Sequence, residues 1–198
     1  HQRNRAGDMS PAFSPESARA DFPIFGDPPH GKPLVFLDSA ASAQKPSAVI
    51  DAVRRCYETE YANVQRGVYY LSAKATENFE AARDKARALL GAAESREIVF
   101  LRGTTEAINL VAHSFVRARF EPGDEVVISH MEHHSNIVPW QLLRDELGLE
   151  IKVVPIDDAG EFQLDAYAGL LGPRTRLVSV THVSNALGTI TPAAEIVR

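Results

Sequence analysis

EVVISHMEHHSNIVPWQLLRDELGLEIKVVP, residues 125–155, is the stretch that decides the fold. EVVIS (125–129) is a short apolar run of strand type. Ile137, Trp140, Leu143 and Leu147 then recur at helical spacing, and Gly148 stands where such a helix would stop. A second apolar run, 151–155, follows at once. Two strands joined through a helix run parallel, because the crossover returns the chain to its starting edge. Upstream, EIVFL (97–101) reads as another strand, and Ile108, Val111, Ala112, Phe115 and Val116 mark the helix after it. Downstream come a short helix at 164–171 and a strand at 177–180. From residue 97 onward the order is β-α-β-α-β-α-β, an α/β pattern with a mainly parallel sheet flanked by helices.

Before residue 97 the pattern changes. Residues 23–33 are rich in proline and glycine and read as an extended arm. Residues 34–37 (LVFL) are strand-like. Val49, Ile50, Val53, Cys56, Tyr57 and Tyr61 place a helix over 47–62. Ala75, Phe79, Ala82, Ala86, Leu89 and Leu90 place another over 72–90, closed by Gly91 at its C′ position. These two helices pack outside the sheet or form a connecting layer.

The 198 residues suffice for one large domain or one and a half. With 44% hydrophobic and 24% charged residues, the balance is that of a soluble globular protein. A net charge of −5 and the lack of any basic run argue against nucleic-acid binding. No apolar run approaches the roughly 20 residues needed to span a bilayer, so no membrane is expected. The first twenty residues lack the apolar core of a signal peptide. The single cysteine, Cys56, excludes an internal disulfide and suits a reducing compartment. On the apolar face of its helix, its thiol is expected to be a buried packing group. His1 implies a processed or expression-derived end. Thr191-Pro192 forms a cap and first-turn pair for a helix that AAEIVR begins, so the chain is expected to be the amino-terminal part of a longer polypeptide.

In open α/β sheets, ligands bind at the carboxyl ends of the strands. Three strand-to-helix loops are unusually polar there. In Arg102-Gly103-Thr104-Thr105-Glu106, the glycine admits a close approach, first-turn amides lack helical partners, and two threonines add hydroxyls; this is a phosphate cup by its physics. Glu106 would repel a phosphate and must point away or cap the helix. The plainer alternative is N-capping by Thr104. In His182-Val183-Ser184-Asn185, a buried asparagine amide could donate to a phenolate or carboxylate, or could merely start an Asx-turn. His130, His133 and His134 admit a metal site, a polar loop, or an imidazole laid on a planar ligand. No HExxH or paired-cysteine spacing supports metal, so none is expected. Together the loops suit a flat heteroaromatic ring bearing a phosphate and a polar oxygen, and pyridoxal phosphate fits.

LDSAASAQKP (37–46), RGTTEAINLVAHS (102–114), MEHHSNIVPWQ (131–141) and THVSNALGTITP (181–192) resemble, in the same order, motifs of Suf-type cysteine desulfurases. These belong to the class V aminotransferase branch of the pyridoxal-phosphate enzymes, and the resemblance spans nearly all of 20–198. It implies an aspartate-aminotransferase-like, pyridoxal-phosphate-dependent transferase fold that is incomplete in this chain. Residues 1–20 would be a disordered or expression-derived tail, 21–96 an arm with helices, and 97–198 the first part of the large cofactor-binding domain. It assigns Thr104 and Thr105 to the phosphate, His133 to stacking on the pyridine ring and assisting proton transfer, and Asn185 to the phenolic oxygen and the substrate. Ala40 and Ala41 would line the substrate pocket, while His134 would leave the loop on another side and serve structure. The implied activity converts L-cysteine to L-alanine and passes the sulfur, as a persulfide, to a Suf-type acceptor protein for iron–sulfur cluster assembly, in a cytoplasmic homodimer. Selenocysteine lyase activity, another class V pyridoxal-phosphate reaction, or a truncated inactive or interaction-only fragment stand as alternatives.

The sequence departs from the family where Gln65-Arg66-Gly67 replaces His-Arg-Gly, since glutamine cannot titrate. His130 also stands where the family often has an uncharged polar residue. The Schiff-base lysine, the aspartate that pairs with the pyridine nitrogen and the sulfur-accepting cysteine are expected beyond Arg198.

Overall fold

The structure, a computed structural model, describes residues 13–198, so the first twelve residues of the expected tail lie outside it. It divides into two compact units, up to Ile98 and from Val99 onward.

In the first unit α1 (Pro15–Ala20) is capped by Ser14, whose hydroxyl accepts from Ser17 N. A stretch of irregular chain follows. Helix α2 (Ser47–Arg55) continues as a wider π-turn over Cys56–Glu60, and α3 spans Tyr70–Leu90. Gly91 ends α3 in the left-handed region at φ 70°, the C′ conformation that glycine reaches without a Cβ penalty. The run 34–37 forms no strand. Cys56 is exposed, not a buried packing thiol, because its helix face is left uncovered within this unit: Val49, Ile50, Val53 and Tyr57 are all exposed too.

The second unit opens with α4 (Thr104–Val111), a π-turn over Ala112–Val116 and a last turn α5 (Arg117–Arg119). Then come β1 (Glu125–Ser129), α6 (Val138–Leu147), β2 (Glu150–Val154), α7 (Leu164–Leu170), β3 (Thr175–Val178) and α8 (Ala193–Ile196). The sheet order is β2-β1-β3 and both pairings are parallel, with Val126 opposite Ile151 and Leu177. Strand periodicity sends Val126 and Ile128 to one face of β1, where they pack with Ala112, Val116, Trp140, Leu143 and Leu149. Val127 goes to the other face, with Met131, Val154, Phe162 and Tyr167. With α6 on one face and α7 on the other, β1 is covered on both sides, as a parallel strand requires.

Two expectations fail here. Residues 97–101 form no strand. Glu97 ends a 3-10 turn (Ser95–Glu97) locked by a capping box, its carboxylate accepting from Glu94 N at 3.0 Å. Ile98 beyond it is extended, but extended backbone becomes a strand only with a ladder partner, and none pairs with this run among the described residues. Thr191 does not cap α8 either. Pro192 takes the cap position, and the buried Thr191 hydroxyl has no hydrogen-bond partner among the described residues.

The connection from β1 leads outward to β2, and the connection from β2 crosses back over to β3 on the far side of β1. Strands β2 and β3 thus lie on opposite sides of β1, and the strand order changes direction between β1 and β3; such a switch point is where doubly wound sheets bind ligands.

Candidate active site

Three loops were expected to meet at that edge. The first carries the N-terminus of α4. Its first helical bond is Ala107 N to Gly103 O at 3.1 Å, so the amides of Thr104, Thr105 and Glu106 have no acceptor within the helix. Neither threonine hydroxyl bonds to another described residue, which removes the N-capping alternative for Thr104: the cap position belongs to Gly103. A Cβ on Gly103 would meet nothing within 4 Å, so the space over the terminus is open. Glu106 is turned back on Arg102, accepting from its amide at 2.7 Å and from its guanidinium at 3.0 and 3.2 Å. The carboxylate is thus neutralised locally instead of facing an anion at the terminus.

Those bonds, the Arg102 side chain first and its backbone amide second, hold the Glu106 carboxyl below the usual glutamate range. A depressed folded-state pKa stabilises the fold above the unfolded glutamate value, and that stabilisation disappears as pH falls through the lower folded value. We therefore expect the Glu106 side-chain carbon resonance, followed by NMR, to titrate below a glutamate in an unstructured peptide. Arg102→Ala should return the midpoint to the ordinary range; an unchanged midpoint would contradict the assignment.

The second loop leaves β1. His133 caps a 3-10 turn (His134–Asn136), its Nδ1 accepting from Ser135 N at 3.2 Å with Ser135 Oγ at 3.0 Å. With Nδ1 held as an acceptor, the neutral ring carries its proton on Nε2. The turn packs against α4, and a hollow of about 300 Å3 opens there, lined by Thr105 and Asn109 from α4 and by His133, His134 and Ser135 from the turn. His134 does not leave the loop on another side: both residues line the hollow, their rings 6.0 Å apart and inclined by 40°. His130 is exposed and lines a different hollow with Gln141 and Arg144.

The third loop follows β3. Asn185 is exposed, not buried, and its amide has no hydrogen-bond partner among the described residues. It does not start an Asx-turn. Ser184 organises this turn, its buried hydroxyl accepting from Ala186 N at 3.3 Å and Leu187 N at 3.1 Å. The structure thus brings Thr105 and His133 to one hollow, while Thr104 and Asn185 are not among its lining residues. In the first unit, Ala40 sits in an exposed turn closed by Ala41 N and Ser42 N on Asp38 O. Gln65 lies there at φ 72°, with its amide donating to Thr76 Oγ1 at 2.9 Å and its side chain to Glu80 at 3.1 Å.

One feature escaped the sequence reading. Glu132, beside His133, is buried, as is Asn136. Asn136 Nδ2 donates to Glu132 Oε2 at 2.8 Å and to Ser179 O at 2.9 Å, and its Oδ1 accepts from Trp140 Nε1 at 2.9 Å and Ser179 Oγ at 2.6 Å. Glu132 Oε1 accepts from Thr181 N at 2.9 Å and from the Ser129 hydroxyl. The signal was present in the spacing of Glu132, Asn136 and Trp140, each four residues from the next.

The chain as a whole is similar to known proteins. A cysteine desulfurase of Dickeya dadantii (strain 3937) is 56% identical over 183 residues, 92% of this chain and 44% of that protein. Probable cysteine desulfurase 1 of Mycobacterium leprae (strain TN) is 51% identical over 191 residues, 96% of this chain and 31% of that protein. The apo structure of a cysteine desulfurase from Thermococcus onnurineus NA1 matches with a TM-score of 0.86 at 36% identity, over 95% of this chain and 45% of that one. The chain therefore spans half or less of the relatives it matches, and its two units have the aminotransferase-like fold of pyridoxal-phosphate enzymes. The family model described as aminotransferase class-V matches residues 35–198, and the chain belongs to that family.

Proposed function

We propose that this chain supplies the cofactor site of a Suf-type cysteine desulfurase. Members of its family use pyridoxal phosphate, and the residues present fit that group by the chemistry of their donors. A helix terminus with three unspent amides and two free hydroxyls suits a phosphate. The imidazole of His133 shares a hollow with one of those threonines, which suits the face of a pyridine ring. That shared hollow is the observation that carries the reading.

Pyridoxal phosphate, when bound, supplies an electron sink for the substrate's reacting carbons. The rest falls to the protein. Thr104 and Thr105, with the first amides of α4, hold the phosphate. The bond from Ser135 N fixes the plane of His133 and leaves Nε2 to hold or move a proton near the substrate. Asn185, its amide unspent, donates to an oxygen of the cofactor or substrate. Ala40 lines the substrate pocket, and 97–198 begins the large domain. The net reaction breaks the Cβ–S bond of L-cysteine, joins that sulfur to a protein thiol as a persulfide, and returns a proton to Cβ to give L-alanine. The persulfide then passes to a Suf-type acceptor for iron–sulfur cluster assembly, in a cytoplasmic homodimer. Incubated with L-cysteine and a reductant, the full-length protein should release alanine and sulfide in equal amounts. Release of neither while the cofactor is bound would overturn the proposal.

Thr105→Ala in that protein should weaken cofactor binding about ten- to hundredfold, the worth of one hydrogen bond to a charged oxygen. An unchanged dissociation constant, measured by absorbance titration of the apoprotein, would mean that the α4 terminus does not hold the phosphate.

A further inference from the structure

The buried pair beside His133 has no part in the reading above. Glu132 is 9% exposed and Asn136 6%. Among the described residues no cation forms an ion pair with the Glu132 carboxylate. It is satisfied by three donors from three segments: the Ser129 hydroxyl at the end of β1, Asn136 Nδ2 in the turn, and Thr181 N beyond the end of β3. Asn136 repeats the bridge, reaching Ser179 through both its amide hydrogen and its oxygen. The indole of Trp140 fixes the Asn136 oxygen from the floor of the core. Burying a carboxylate costs free energy unless its lone pairs are filled, so these partners define one arrangement of the two loops.

We infer that Glu132 and Asn136 are positioning residues: they latch the loop carrying His133 to the loop carrying Asn185 across the β1/β3 switch point. Glu132 is the residue directly before His133, and Thr181 stands four residues before Asn185. A shift of the carboxylate therefore moves the ring and the asparagine loop together. Neither Glu132 nor Asn136 touches the hollow itself. The inference rests on the proposed role of His133.

The test uses the full-length holoenzyme with Glu132→Gln, and His133→Ala as reference. Glutamine keeps the shape but sets one amide against a donor, either Asn136 Nδ2 or Thr181 N. Cooperative melting of the apoprotein should persist. The visible circular dichroism of the bound cofactor should move in the same direction as in His133→Ala. Turnover should fall about ten- to hundredfold, the effect of a displacement of about 1 Å, with KM little changed. Asn136→Asp sets two carboxylates face to face and should be worse. Adding Glu132→Gln to it restores a donor–acceptor pair and should bring both dichroism and turnover back toward the parent.

If Glu132→Gln lowers only the melting temperature, leaving dichroism and turnover at parent values, the latch is purely structural and the inference fails. If His133→Ala itself changes neither, the reading of His133 fails and takes the inference with it. Should Glu132→Gln prove insoluble, Ser129→Ala removes one donor and leaves the carboxylate, and the same dichroism shift, smaller in size, decides the matter.

Discussion

Replacing His133 by alanine should lower turnover of the full-length protein about a hundred- to ten-thousandfold, the usual contribution of a positioned acid or base. The fold should survive, because His133 is exposed and its bonds are to its own turn. The absorption of the bound cofactor should shift as well, since its ring loses a stacked partner. His134→Ala is the informative control. Its ring lines the same hollow, so proximity alone would predict equal losses. His133 differs in being held: Ser135 N fixes its Nδ1, whereas among the described residues no hydrogen bond orients the His134 ring. We expect the loss at His134 to be much the smaller. A metal site would behave otherwise, with His130, His133 and His134 each releasing a stoichiometric ion on substitution. His130 belongs to a different hollow, and no group of three ligating side chains gathers among the described residues. Equal losses at His133 and His134, or stoichiometric zinc in the purified protein, would overturn the assignment.

The central βαβ unit was legible because its signals are local. Helical spacing at Ile137, Trp140, Leu143 and Leu147 requires no knowledge of what covers them, and Gly148 at φ 72° ends the helix where its position suggested. Parallel pairing followed from the short crossover alone. What could not be read was anything needing a distant partner. EIVFL has strand composition, yet a strand exists only when a neighbour supplies the ladder. The apolar stripe of α2 predicted a buried face with Cys56 inside it, yet burial depends on what covers that face, and among the described residues of the first unit it stays exposed.

The candidate site divides the same way. Unspent amides at the start of α4 follow from any helix start, so the phosphate cup was readable from Gly103 and two threonines. That Glu106 would point away or cap the helix also followed from its charge beside a phosphate cup; its partner did not, and that partner is the amide and guanidinium of Arg102. Asn185 was expected to be buried because it follows a strand, but β3 ends at Val178 and the chain reaches the surface before the asparagine. Glu132 went unread because a charged residue beside two histidines looks like part of a solvated loop. Of its three donors two are local, Ser129 and Asn136, but the third, Thr181 N, comes from beyond the end of β3, which the spacing of Glu132, Asn136 and Trp140 does not announce.

Trp140→Ala should destabilise the protein by about 3–5 kcal/mol, the range for truncating a large buried aromatic. Trp140 is 1% exposed and sits among Ala112, Val116, Val126, Ile128, Leu143 and Leu149, so the void cannot fill without moving α4, its π-turn or β1. The substitution also removes the indole N–H from Asn136 Oδ1. That oxygen keeps the Ser179 hydroxyl, so it is not orphaned, and the void accounts for most of the loss. Trp140→Phe separates the two effects: it keeps an aromatic ring in the core and deletes only the donor, so its cost should be nearer that of one hydrogen bond, about 1 kcal/mol, with some added packing loss. Chemical denaturation of the apoprotein, read by circular dichroism, should rank the parent above phenylalanine and phenylalanine well above alanine. If alanine and phenylalanine cost the same, the indole hydrogen bond outweighs the packing. If alanine costs under about 1 kcal/mol, well below the range for a core aromatic, the core on this face of β1 is not what holds the unit together.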